Sequence, residues 1–138
     1  MGNFNNYSGF REVAHTADVA LKVRGNSIED LFIQAALGMH AIMKMKLAKG
    51  KCIQREIFLK EVDIESLLVS FLSELIFYAE CGEGFNKFEI GILNNKMKGK
   101  IIGKKIKFIE RELKAITFHR LKIEMCKSGY ETLIVFDV

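Results

Sequence analysis

The chain has 138 residues and a mass of 15.7 kDa, with 49% hydrophobic and 28% charged residues, which excludes a disordered chain and gives one domain enough length to bury roughly two-thirds of its unfolded surface. Its 21 Lys and Arg against 17 Asp and Glu leave a formal charge of +4, which suits an acidic partner such as RNA or an acidic protein surface without demanding one. Cys52, Cys81 and Cys126 contain no C-x-x-C pair, so neither a disulfide framework nor a zinc knuckle is expected, and a reduced, cytoplasmic chain is.

The first twenty residues lack a basic start followed by an apolar stretch, so no secretory signal is expected, and Asn6 stands where a myristoylation motif needs Ser or Thr. "FREVAHTADVALKVRG" (10–25) reads as strand on either side of a centre that holds His15, Thr16 and Asp18. Val19, Leu21 and Val23 alternate with Ala20, Lys22 and Arg24 in the period of a half-buried strand, which "RGN" ends. Ser27 with Asp30 three residues on resembles a capping box, and Ile28, Leu31, Phe32, Ala35, Met39, Ile42 and Met43 recur at helical spacing. "CIQREIFLK" (52–60) reads as a strand.

Asp63 is a good N-cap for a second helix, buried through Ile64, Leu67, Leu68, Phe71, Leu72 and Leu75 and stopped by Gly82 and Gly84. That segment is the most apolar in the chain, but it is too short and, with Glu65 and Glu74, too charged to span a bilayer, so no membrane is expected among the partners. The remainder is β-like: "FNKFEIGIL", "KMKGKIIG", "LKAITFH", "LKIEMC" and "ETLIVFDV", with Asn94 and Asn95 marking a hairpin turn. No repeat, linker or proline suggests a boundary. The expected fold is α+β: one domain over residues 1–138, with two amphipathic helices packed on a mostly antiparallel, multi-stranded sheet.

Several motifs have plain explanations. "GKIIGK" (99–104) spaces its glycines one residue too closely for a phosphate-binding loop and is followed by Lys105 where Ser or Thr should hold magnesium. Lys96, Lys98, Lys100, Lys104, Lys105 and Lys107 form a basic zone, yet no aromatic interleaves with the first five to stack bases; a lysine-protected strand edge is the commoner reason for such a run. His15 and His119 flank strands and His40 lies inside the first helix, without a Ser or Cys in a nucleophile setting, so a hydrolytic triad is unsupported.

The carboxylates are more informative. Asp18 interrupts a strand, and Asp137 precedes the terminal carboxylate of Val138 in a segment otherwise apolar enough to be central in a sheet. Charges there are costly unless paired or metal-bound, and these three groups would offer hard oxygen ligands suited to Ca²⁺, Mg²⁺ or Mn²⁺. Strand-end aspartates that cap loops or meet lysines are the commoner case, and the residues alone leave both readings open.

"HTADVALKVRGNSIEDLFIQAALGM" (15–39), "DIESLLVSFLSELIFYAE" (63–80), "LKAITFHRLKI" (113–123) and the final "VFDV" together resemble the archease family, in the family's order and over nearly the whole chain. The resemblance implies a protein without catalysis of its own, which promotes guanylylation of the active-site histidine of the GTP-dependent tRNA-splicing RNA ligase, multiple turnover, and broader nucleotide use. It implies a metal site at Asp18, Asp137 and Val138, with Ca²⁺ the family's usual ion and Mg²⁺ or Mn²⁺ as alternatives. His15, Thr16, Asp63, Glu74, Lys114, Thr117 and His119 fall on matching positions, as partner contacts or as supports of the metal ligands, and contact with RNA or GTP would be indirect. Two other classes compete: a small metal-dependent phosphoesterase using Asp18 and Asp137 with His15 or His119 as general acid or base, and an RNA chaperone acting through the lysine-rich strands.

Overall fold

A computed structural model describes residues 8–13 and 18–138. β1 (Gly9–Val13) pairs antiparallel with β2 (Val19–Gly25), which pairs antiparallel with β9 (Gly129–Asp137). β7 (Ala115–Thr117) and β8 (Glu124–Cys126) both pair with β9, completing a five-stranded sheet among the described residues. A second, four-stranded sheet is built on the long β6 (Lys96–Phe108), flanked by β4 (Ile53–Lys60) and β5 (Glu83–Leu93), with the two-residue β3 (Lys46–Leu47) at its end. The expected α+β architecture holds, with the strands divided between two sheets.

α1 (Ile28–Ile42) begins where its cap lies: the Ser27 hydroxyl accepts the Asp30 N–H at 3.0 Å, and the Asp30 carboxylate accepts the Asn26 N–H at 2.8 Å. α2 (Ile64–Glu80) begins in the same way, the Asp63 carboxylate accepting the Ser66 N–H at 2.7 Å. α1 packs on β1, β2 and β9 and reaches β5, whereas α2 packs on β4, β5 and β7, so the helices join the inner faces of both sheets. Their shared core includes Phe32, stacked on Phe71 at 5.9 Å between centroids, and Phe88, edge-on to Phe71 at 5.8 Å. Leu21, Val23, Ile134 and Phe136 fill it from the first sheet, and Met97 and Ile101 from the second.

Three sequence expectations are corrected. Gly82, with φ +88°, does end α2, because that left-handed backbone suits glycine, but Gly84 lies inside β5, where a Cβ would collide with the Met45 sulfur and a Leu47 methyl. β6 is no edge: from Lys96 to Gly103 it is bonded on both flanks, and its lysines face out from the middle of a sheet. The strands expected over 113–119 and 121–126 shrink to three residues each, because Arg120 (φ +54°) turns the chain and the Ile123 N–H is given to the Glu65 carboxylate at 2.9 Å. The Asn94–Asn95 turn is as expected, both residues having the positive φ of a two-residue hairpin.

Candidate functional site

The β2–β9 register places Val19 opposite Phe136, so Asp18 and Asp137 lie one residue beyond the last pair of that ladder. Side chains alternate across a strand. Val19 and Phe136 therefore turn toward the helices, and Asp137 turns to the opposite face with Ala20 and Val135, while Asp18 sits in the bend just before β2. On the other flank of β9, Ala115 pairs with Asp137 and Thr117 with Val135, which adds Thr117 to that outward face one rung away. Lys114 ties this end together through its backbone, its N–H donating to the Asp137 carbonyl at 2.9 Å. Asp18 is half-buried, and Asp137 and Val138 are exposed.

His119 follows Thr117 beyond the strand, exposed, with its N–H bonded to the Thr117 hydroxyl at 3.2 Å. Asp63 stands apart from this group. It caps the start of α2, while Lys114 shares a hollow of about 230 Å³ with Ala79 and Glu80 at that helix's far end, and 17 residues of helix rise roughly 25 Å. Its carboxyl is held below the usual carboxylate range by the Ser66 N–H, which is the chemistry of a cap. Glu74 is half-buried on α2, between these two ends. His15 and Thr16 lie outside the described residues. Glu80 and Glu112, which line the hollow beside Lys114, were not singled out from the sequence; their only signal was proximity to the ends of segments that matched the family pattern.

Among the described residues no three His, Cys, Asp or Glu side chains gather closely enough to hold a metal ion. Asp18, Asp137 and Val138, the ligands expected from the sequence, would offer oxygen donors alone, a set that fits a hard divalent cation better than a sulfur-seeking one. The cysteines are free, Cys52 and Cys81 on the surface and Cys126 partly covered in β8.

The Archease protein family model matches residues 10–138. The chain belongs to the archease family. An archease of Saccharolobus islandicus is 37% identical over 137 residues, covering 94% of this chain and 98% of its own, and one of Methanosarcina barkeri is 34% identical over 135 residues, covering 90% and 92%. The crystal structure of the Thermotoga maritima archease superposes with a TM-score of 0.71 at 26% identity, covering 93% of this chain and 96% of that one. No helix among the described residues is long and apolar enough to cross a membrane.

Proposed function

We propose that this archease activates a GTP-dependent tRNA-splicing RNA ligase without catalysing a reaction itself, promoting guanylylation of the ligase histidine, repeated turnover and wider nucleotide use. The observation that carries the reading is the family match from residue 10 to 138, supported by Asp18 and Asp137 lying one residue beyond the Val19–Phe136 pair that ends the β2–β9 ladder. In this reading the two aspartates and the Val138 carboxylate hold a divalent ion, Ca²⁺ first, with Mg²⁺ or Mn²⁺ as alternatives. Thr117, Lys114, His119, His15 and Thr16 would serve as partner contacts or as supports of the ligands. When bound, such an ion supplies positive charge that can orient phosphate oxygens. The chain's own contribution would be to bring carboxylates to the end of the β2–β9 ladder, where like charges repel and a cation is favoured between them.

The deciding experiment is RNA ligation at limiting ligase with and without this protein. Many product molecules per ligase, and faster enzyme guanylylation, are expected on addition. Unchanged turnover would overturn the proposal. GTP hydrolysis by the protein alone that is lost in Asp18→Ala would favour the phosphoesterase reading instead.

A further inference from the structure

Charge is unevenly divided between the two sheets. Residues 46–60 and 83–108, which hold β3 to β6 without α2, carry twelve of the 21 Lys and Arg but three of the 17 Asp and Glu, a net +9 in a chain whose total is +4. The rest of the molecule is therefore acidic, with 9 Lys and Arg against 14 Asp and Glu.

Part of this positive charge is neutralised locally. Glu83 is held by Arg55 through two hydrogen bonds of 2.9 and 2.6 Å, and Glu56 and Glu89 flank Lys100 on either side in register. Lys96, between Lys60 and Leu93, has no acid across from it. Lys98 has none either: its neighbours are Phe58 on β4 and Gly91 on β5. Among the described residues Lys60, Lys96, Lys98 and Lys104 make no salt bridge. At the other end of β6, Lys104 and Lys105 share a hollow of about 320 Å³ with Lys49 and Lys51 from the β3–β4 connection.

The aromatic that the Lys96–Lys105 run lacks comes from the next strand. Ile53, Ile57 and Leu59 give β4 its inward phase, which leaves Phe58 outward and 67% exposed, an apolar ring on the wrong face for the core. It lines a shallow hollow of about 280 Å³ with Lys98 and Gly99, and Gly91, two strands away in the same row, adds no side chain to block a planar group. Lysines two apart on one strand face are about 6.8 Å apart, a step that matches successive phosphates of an extended strand.

We propose that the outer face of the second sheet binds single-stranded RNA, with a base stacked on Phe58 and phosphates held by Lys60, Lys96 and Lys98. A basic groove tracking the backbone together with an exposed aromatic is the combination that sequence-tolerant single-strand binders use. An acidic protein surface would use the lysines but would leave Phe58 without a partner. The inference stands apart from the ligase reading, since its test contains no ligase.

The test is fluorescence anisotropy of a labelled single-stranded RNA of about twelve nucleotides, a length within the range of one such site, titrated with the full chain. Binding should weaken with salt, with a log–log slope of about −2 for three contacted phosphates. Lys96→Glu combined with Lys98→Glu should lower affinity by about tenfold or more, and Phe58→Ala by about five- to tenfold. Phe58→Ala should leave inorganic polyphosphate binding unchanged, and the melting temperature of each variant confirms that it is folded. Three results would overturn the proposal: no RNA binding at low salt, RNA binding indifferent to Phe58→Ala, or polyglutamate bound as tightly as RNA.

Discussion

Val19 pairs with Phe136 at the end of the β2–β9 ladder, which puts Asp18 and Asp137 one residue beyond that pair along their two chain segments. Like charges brought together on paired strands are destabilising. Asp18→Asn should therefore raise the melting temperature of chelator-treated protein slightly at low salt while weakening Ca²⁺ or Mg²⁺ binding by about tenfold or more, since affinity follows ligand charge. Calorimetric titration reads both ion affinities. His15→Ala should weaken binding less than Asp18→Asn does, and two glycines added after Val138 should weaken it by replacing a carboxylate with a neutral carbonyl. Equal affinity in all of these proteins would remove the metal site.

Phe71 is fully buried between Phe32 and Phe88 and ties α2 to both α1 and β5. Phe71→Ala should cost about 3–5 kcal/mol, the usual range for truncating a buried aromatic. That is a large share of the stability of a domain this size. Urea unfolding measures it, and a loss below about 1 kcal/mol would mean that the aromatic cluster is looser than these contacts imply.

Ser27→Ala should destabilise by about 1 kcal/mol, because the Asp30 N–H loses its acceptor at the first turn of α1. The far-ultraviolet spectrum should be unchanged at low temperature and melt earlier. Ser27→Gly should recover most of the loss, since glycine caps helices nearly as well.

His40 is half-buried in α1, and its Nε2, shut away from solvent, has no hydrogen-bond partner among the described residues. Burial holds its pKa below the ordinary imidazole value. The unfolded chain then binds more protons than the folded one as pH falls below about 6.5, so stability should decline through that range until the folded imidazole is itself protonated. Glu83, held low by its hydrogen bond from Arg55, and Asp63, held low by the Ser66 N–H, should add a second loss at more acid pH, as each carboxylate takes up a proton. Melting temperatures between about pH 4 and pH 7.5 should show two declines, and His40→Gln should flatten the first while leaving the second.

Local physics made most elements legible in the sequence. Alternation defined β2, helical spacing with Ser27 and Asp63 as caps defined α1 and α2, and two asparagines able to take positive φ defined the β5–β6 turn. Partnerships between distant strands were not legible there. Period-two patterning says which face of a strand is buried but carries no information about which strands lie beside it, so β6 read as an edge although β4 and β5 bond to both its flanks. The same limit hid Phe58, which lies 40 residues before Lys98 in the chain but directly across from it in the sheet. Composition determined that this chain is basic; only the packing of the second sheet decided that the excess positive charge gathers there, because hydrogen-bond register between remote strands sets which charges become neighbours.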